Sequence, residues 1–305
     1  MRTGTLGIID VGTNSIHLVI GHATPRGGFR ILVHERTLAK LGEGGMRRNR
    51  LAASAMRRAE RVLRRYAGIL ARHRVDCVRA VATSAVREAV NGPGFVRRVR
   101  TGLGLPLRII SGREEARLIY RGAWQQQRFR RDVVMFAMGG GSTQVLRGTG
   151  LRLTYAVSLP LGATRLTERF IRHDPATPGE VAALRAALVQ DWRQVARAVR
   201  RRGLTGAFGC SSMTGQVATA VAARAGYPDT GSITRAALSR FVEWAARSTA
   251  SARRRLSGID PGRHDLLLAS GLALLTWMEA CGVERLRSVS GSLREGLVVD
   301  YLKGR

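Results

Sequence analysis

The stretch TLGIIDVGTNSIHLVIGHA, residues 5–23, predicts a β-hairpin, because two runs rich in β-branched residues flank a short turn of Gly, Thr, Asn and Ser. FRILVHER, residues 29–36, predicts a third strand and completes an antiparallel meander. The pattern returns in DVVMFAMGGGSTQVLRG, residues 132–148, and LRLTYAVS, residues 151–158, predicts its third strand. A meander that occurs twice, about half a chain apart, predicts a duplicated α/β domain.

Between the two meanders the pattern changes to alternating strands and helices. VDCVRAVAT, residues 75–83, and LPLRIIS, residues 105–111, predict strands with helical segments between them, as in a parallel sheet with crossovers. Residues 51–74 predict a long amphipathic helix whose arginines lie opposite its apolar side chains. REEARLIYRGAW, residues 113–124, predicts another helix. The arginine face of the long helix is interpreted as a solvated surface, and nucleic-acid contact as the alternative.

Two helices of the second half are predicted from their ends and their composition. Thr177 and Glu180 have the spacing of a capping box, and Pro178 lies at the first helical position. LLLASGLALLTWMEACG, residues 266–282, is apolar but too short to span a bilayer. It therefore predicts a buried helix, and no membrane association is expected.

The charge of the chain suggests a class of partner. There are 51 basic and 21 acidic residues, a net charge of +30, and such a field attracts polyanions. Only Lys40 and Lys303 are lysines, so an arginine bias of a GC-rich genome is an equally open explanation. No recognition motif for nucleic acid accompanies the charge, and nucleic acid is not the expected partner.

The cysteines and the N-terminus indicate a compartment. Cys77, Cys210 and Cys281 are odd in number and far apart, which suggests neither a disulfide framework nor a zinc site. The first residues lack the succession of basic, apolar and small residues of a signal peptide. A cytoplasmic location is therefore expected.

Each meander contains a glycine turn that suits an anion. The turns consist of Gly12, Thr13, Asn14 and Ser15 in the first meander, and of Gly139, Gly140, Gly141, Ser142 and Thr143 in the second. Such turns expose successive backbone N–H groups and hydroxyls, which can bind phosphate oxygens. A single turn of this kind is equally an ordinary hairpin. Two at equivalent points of a duplicated fold favour a phosphate clamp with two sides.

Six stretches carry a family resemblance, in a fixed order and with compatible spacing. They are IIDVGTNSIHLVI, RAVATSAVREAVNG, IISGREEARLIYRG, GGGST, SLPLGATRLTERF and LREG. On these stretches the chain resembles the exopolyphosphatase and guanosine pentaphosphate phosphohydrolase (Ppx/GppA) family. The family lies within the superfamily of actin, sugar kinases and heat-shock protein ATPases.

The resemblance implies an architecture. It predicts two actin-like (ribonuclease H-like) domains, residues 1–122 with the first phosphate loop and residues 123–305 with the second. Longer family members add a helical HD-like domain, so this chain is expected to be a short, two-domain form.

The resemblance also implies roles for individual residues. Asp10 helps to hold a divalent metal, expected to be Mg²⁺, and the residues of the two glycine turns bind phosphate. Arg87 reaches the phosphate channel, which suits guanidinium geometry. Glu115 is the general base that activates water. From the residues alone, Glu115 is interpreted as a surface acid paired with one of the many arginines, and only the resemblance favours catalysis.

The chain departs from the family pattern at three places. Ala137 and Gln144 occupy positions where the family has an aspartate and a glutamate, which predicts a weakened magnesium site. Gln144 can orient a water through its amide but cannot accept a proton. GCSSMTG, residues 209–215, replaces the usual Gly-Thr pair with Ser212 and Met213, so the resemblance implies nothing about a nucleotide base there.

Two functions from different classes are therefore open. The prediction adopted is a magnesium-dependent exopolyphosphatase that releases terminal phosphate from inorganic polyphosphate, with Glu115 and Asp10 in the site. The alternative is a weak or inactive homologue that binds polyphosphate or a guanosine polyphosphate. A 5′-phosphohydrolase acting on pppGpp is a further alternative, so the expected partner is inorganic polyphosphate or a guanosine polyphosphate.

Overall fold

The computed structural model describes residues 3–24, 28–200, 204–226, 228 and 231–304. The chain divides into two units: unit 1 comprises Met1–Gln125 and Gly291–Arg305, and unit 2 comprises Gln126–Ser290. Each unit has one sheet with helices, and the three strands that open it form an antiparallel meander. The predicted duplicated α/β fold is confirmed.

Within the described residues, the sheet of unit 1 has five strands in the order β3-β2-β1-β4-β5. The strands are β1 Gly4–Val11, β2 Ser15–Ala23, β3 Phe29–Leu38, β4 Cys77–Ala82 and β5 Leu107–Ile109. β1 pairs antiparallel with β2 and parallel with β4. The change from meander to parallel strands follows the sequence prediction, and it brings the C-terminal ends of β1 and β4 to one edge of the sheet.

In the described residues of unit 1, five α-helices accompany the sheet. They are α1 Ala53–Arg72, α2 Ser84–Glu88, α3 Gly92–Leu103, α4 Gly112–Gln127 and α11 Leu293–Leu302. The apolar face of α1 contributes Ala59, Leu63 and Tyr66 to a core shared with β1 and β2. Its arginines at 57, 61 and 64 are exposed, as the amphipathic pattern predicts.

The last helix belongs to unit 1, which differs from the predicted division into 1–122 and 123–305. Two glycines explain the placement, because they let α4 and α11 meet with backbone in contact. A Cβ on Gly296 would lie 2.1 Å from the Leu118 carbonyl oxygen, and one on Gly122 would lie 2.2 Å from the Ser292 carbonyl oxygen. The long-range contact of these glycines assigns residues 291–305 to unit 1.

The sheet of unit 2, as far as the structure describes this unit, has six strands in the order β10-β11-β9-β6-β7-β8. The strands are β6 Asp132–Met138, β7 Thr143–Thr149, β8 Arg152–Leu159, β9 Gly206–Gly209, β10 Ser232–Thr234 and β11 Arg285–Ser288. β6 pairs antiparallel with β7 and parallel with β9. This repeats the pairing of β1 with β2 and β4 in unit 1.

Over the part of unit 2 that the structure describes, there are six α-helices. They are α5 Ala163–Phe170, α6 Pro178–Val199, α7 Ser212–Ala225, α8 Arg235–Arg247, α9 Ala250–Arg254 and α10 Leu267–Cys281. The predicted capping box is confirmed, since the Glu180 amide donates to Thr177 Oγ1 at 3.3 Å and the Thr177 amide donates to Glu180 Oε2 at 3.0 Å.

The apolar stretch near residue 270 forms α10, as predicted, and most of its residues are buried. Trp277 of this helix packs against Phe136 of β6, with ring centroids 5.0 Å apart. Within the described ranges, no helix has both the length and the apolar character needed to cross a bilayer.

Candidate active site

The candidate site of unit 1 begins where β1 and β4 end. Asp10 of β1 is in register with Val81 of β4, and the Thr83 amide, directly after β4, donates to the Val11 carbonyl at 3.1 Å. Ligand sites of α/β sheets lie outside the carboxyl ends of such strands. Helix α2 starts at Ser84, so Arg87 on α2 lies at the same edge as Asp10.

Glu115 and Arg87 form a buried ion pair. Arg87 Nη1 donates to Glu115 Oε2 at 2.9 Å and to the Ile110 carbonyl at 3.2 Å. Glu115 lies in the first turn of α4, where its amide donates to the Ser111 carbonyl at 2.9 Å, and the residue is only 8% exposed. The acid is therefore held inside unit 1 by the arginine that the resemblance assigns to phosphate.

Burial raises the pKa of both acids of this site. The pKa of Glu115 rises from 4.5 to about 7, mainly through desolvation; Arg87 opposes the rise and Asp10 and Glu88 add to it. The pKa of Asp10 rises from 3.8 to about 6, again through burial, and the nearby Arg294 opposes this rise. Glu115 thus titrates near neutral pH, as a general base does.

Asp10 suits a magnesium ion in unit 1. Within the described part of the chain its carboxylate receives no hydrogen bond, so its oxygens are available as ligands. Magnesium usually takes one or two carboxylates together with phosphate oxygens and waters. The same residues contain no cluster of three or more His, Cys, Asp or Glu side chains that would hold a metal on its own. A magnesium site would therefore depend on Asp10 and on the bound phosphate.

The first glycine turn is fixed through its carbonyl groups. The Gly12 amide donates to the Ser15 carbonyl at 3.0 Å and closes the turn. The carbonyls of Thr13 and Asn14 accept hydrogen bonds from the amides of Gly42 and Lys40, at 2.9 and 2.8 Å. Residues after the third strand of the meander thus support the turn from behind.

The second turn closes in the same way, since the Gly139 amide donates to the Ser142 carbonyl at 2.8 Å. Gly140 and Gly141 lie between them. Thr143 differs from the other residues of the predicted turn: it begins β7 and is fully buried, and its hydroxyl donates to the Leu161 carbonyl at 2.7 Å. That hydroxyl is used inside unit 2.

The N-terminus of α5 supports the second turn. The amides of Ala163 and Thr164 donate to the carbonyls of Gly139 and Gly140, each at 2.9 Å. A Cβ on Gly162 would lie 2.3 Å from the backbone of the same turn, so only glycine fits there. The stretch SLPLGATRLTERF was part of the resemblance, but its contact with the turn could not be seen in the sequence.

The two missing acids of the second turn are replaced by buried, uncharged side chains. Ala137 and Gln144 are cross-strand neighbours, 1% and 2% exposed. Gln144 Nε2 donates to Ser142 Oγ at 2.9 Å and to Ser158 Oγ at 3.0 Å. Both N–H groups of the amide are used within unit 2, which differs from the expectation that the amide orients a water.

GCSSMTG adds two features that the sequence did not predict. Ser211 caps α7 by accepting from the Thr214 amide at 3.2 Å, and its hydroxyl donates to the Met138 carbonyl at 2.8 Å, next to the second turn. Arg263, which is 4% exposed, donates from Nη1 to Ser212 Oγ at 2.9 Å. No motif surrounds Arg263 in the sequence, so only the fold associates it with this stretch.

The chain is similar to a known family and to a curated protein. The model of the Ppx/GppA phosphatase family matches residues 18–304. Exopolyphosphatase 1 of Mycobacterium leprae is 28% identical over 312 residues, which cover 97% of this chain and 89% of the relative.

Solved structures give the same result. An exopolyphosphatase from Cytophaga hutchinsonii has a TM-score of 0.90 at 25% identity, with 98% of each chain covered. The Ppx/GppA family member of Aquifex aeolicus has a TM-score of 0.80 at 25% identity, with 99% of each chain covered. Together with the two sheets, these likenesses confirm the predicted actin-like fold class.

Proposed function

The chain belongs to the Ppx/GppA phosphatase family, and on that basis we propose that it is a phosphoric anhydride hydrolase that releases the terminal phosphate of inorganic polyphosphate. One observation carries this proposal: Glu115 is buried and paired with Arg87, and its pKa is raised to about 7. A carboxylate of this pKa is half in its basic form at neutral pH, where a general base is most effective.

The proposed reaction is an in-line displacement by water. Glu115 takes one proton from the attacking water, the water oxygen bonds to the terminal phosphorus, and the bond from phosphorus to the bridging oxygen breaks. Oε2 of Glu115 is held by Arg87, while Oε1 receives no hydrogen bond from the described residues and can take the proton. The products are phosphate and a polyphosphate shorter by one unit.

Other groups of the site are proposed to bind and orient the phosphate. In its own unit each glycine turn offers amide groups to phosphate oxygens, and Arg87 contributes positive charge beside Glu115 in unit 1. Asp10 would hold Mg²⁺, and a bound magnesium supplies charge neutralisation for the phosphate oxygens. Positioning and charge stabilisation account for most of the catalysis in phosphoryl transfer.

A second candidate function is binding without efficient hydrolysis. It is favoured by the uncharged residues Ala137 and Gln144, which occupy the two positions where the family pattern has acids. In that case the chain would bind polyphosphate or a guanosine polyphosphate and act through the complex. Hydrolysis of pppGpp at its 5′ end is the alternative within the enzyme class.

Phosphate release separates these functions. The assay uses long-chain polyphosphate, and pppGpp in parallel, with and without Mg²⁺, and compares wild type, Glu115→Gln and the double variant Ala137→Asp with Gln144→Glu. We expect wild-type activity on polyphosphate that Glu115→Gln abolishes. A silent wild type that binds polyphosphate and gains activity in the double variant would instead establish the binding function.

We propose the cytoplasm as the compartment of this reaction. Cys77, Cys210 and Cys281 are free thiols, and Cys210 and Cys281 are buried. Free thiols are typical of proteins in reducing compartments, which supports this location.

A further inference from the structure

The second turn, in unit 2, does not suit a divalent cation. Ala137 has no ligand atom, and Gln144 has a neutral amide at the position of the family's glutamate. Magnesium sites in proteins generally include at least one carboxylate. The kind of ligand that this turn binds is therefore inferred from the turn's own hydrogen-bonding groups.

Those atoms are hydrogen-bond donors. The turn's carbonyls are occupied: those of Gly139 and Gly140 accept from the amides of α5, and that of Gly141 accepts from Arg165 Nε at 3.1 Å. The amides of Gly140, Gly141 and Ser142 donate to no acceptor in the part of the chain that the structure describes. Successive N–H groups of a turn can bind an anion.

Gln144 makes the Ser142 hydroxyl a hydrogen-bond donor as well. Because Ser142 Oγ accepts from Gln144 Nε2 at 2.9 Å, its own proton remains available for another acceptor. The second N–H of Gln144 is held by Ser158 Oγ at 3.0 Å, so the amide cannot turn freely. A glutamate at this position would accept the Ser142 proton and add a negative charge beside the turn.

We propose that Gln144 makes the second turn a metal-independent subsite for a phosphate group, with the amides of residues 140–142 and the Ser142 hydroxyl as its donors. A phosphate of a polyphosphate chain has the oxygens that these donors require. The identity of this ligand rests on the proposed function, but the subsite is tested by equilibrium binding and not by turnover.

The test is calorimetric titration of the full chain with tripolyphosphate. A Glu115→Gln background prevents hydrolysis, and about 200 mM salt screens the surface arginines. We expect binding in EDTA within about threefold of that in Mg²⁺. Adding Gln144→Glu should weaken binding in EDTA roughly 10- to 100-fold, because one donor is lost and a charge is added, and Mg²⁺ should restore part of it.

Three further variants in the same background control this result. Ser142→Ala should weaken binding about tenfold with and without Mg²⁺, because it removes the donor itself. Ser158→Ala removes the partner that fixes the Gln144 amide and should weaken binding less than Ser142→Ala does, because Ser142 keeps its hydroxyl. Gln190→Glu adds the same charge at an exposed position of α6 and should not change binding.

Two results would overturn the proposal. One is tripolyphosphate binding that requires Mg²⁺ in the Glu115→Gln background, and the other is unchanged binding in EDTA when Gln144→Glu is added. If Gln144→Glu does not fold, the Ser142→Ala variant is used in its place. Unchanged tripolyphosphate binding by Ser142→Ala would reject the subsite. A failure of the proposed hydrolase function would give a different result. Wild type would then release no phosphate, while the Glu115→Gln chain would still bind tripolyphosphate in EDTA.

Discussion

Glu115 is buried, which disfavours its charged form, and we expect this to affect the free energy of unfolding. Its pKa is about 7 in the folded chain, against 4.5 as its ordinary value. Between these values the folded state binds more protons than the unfolded state, so the free energy of unfolding falls as pH rises.

Glu115→Gln should remove this dependence. We expect the variant to exceed wild type by on the order of 2 kcal/mol at about pH 8, and the difference to shrink towards about pH 5, where the acid is protonated in the folded state. Urea denaturation at both pH values measures it. A variant that is less stable than wild type at about pH 8 would contradict the assignment of a strained, buried carboxylate.

Arg87 can be tested as the residue that positions Glu115. It lowers the pKa of that acid, so Arg87→Ala should move the acid limb of the rate profile, kcat/KM against pH, from near 7 to higher pH. Arg98→Ala is the matched control, because Arg98 pairs with Glu60 on the surface of α1. A raised KM with no shift of the limb would mean that Arg87 binds phosphate and does not tune the base.

At the scale of elements, Gly162 couples α5 to the second turn. Gly162→Ala would push a Cβ to 2.3 Å from the turn backbone, so the turn or the helix must move. We expect a loss of about 1–3 kcal/mol in unfolding free energy and weaker tripolyphosphate binding. Gly179→Ala in α6 is the control, because nothing lies within 4 Å of its Cβ position. Equal stability of the two variants would contradict a tight contact at Gly162.

The elements that could be predicted are those fixed by local pattern. Both meanders, the amphipathic α1, the capping box of α6 and the buried α10 follow from periodicity, turn residues and end signals over a few turns of chain. The contact of Gly122 with Ser292 joins residues far apart in sequence, and no local pattern encodes it.

The candidate site shows the same limit. The turns and the acids were predictable from residue type and resemblance, and their roles stay predictions. The bond between Arg87 and Glu115, 28 positions apart, and the hydroxyl network of Gln144 depend on which strands and helices become neighbours. Arg87 was expected to bind phosphate, and its bond makes it a partner of the base. Gln144 was expected to orient a water, and its bonds make it a support for Ser142.

For the whole molecule, duplication preserves geometry while chemistry diverges. Both turns close with the same hydrogen bond, from Gly12 to Ser15 and from Gly139 to Ser142. Asp10 is the penultimate residue of β1, and burial raises its pKa to about 6, while the penultimate residue of β6 is the buried Ala137. The residue of unit 1 therefore has a carboxylate that can bind a proton or a metal, whereas the residue of unit 2 has neither capacity.

The net charge of +30 leads to a prediction about substrate length. A long polyanion interacts with an extended positive field, and that interaction weakens as salt shortens the Debye length. We expect kcat/KM for long-chain polyphosphate to fall steeply between about 50 and 300 mM salt, and that for tripolyphosphate to fall much less. The exposed arginines of α1 at 57, 61 and 64 form no ion pair with the described residues, so replacing all three with Gln should reduce the slope for the long chain alone. Equal slopes for both substrates would show that the arginine content reflects composition and does not guide substrate.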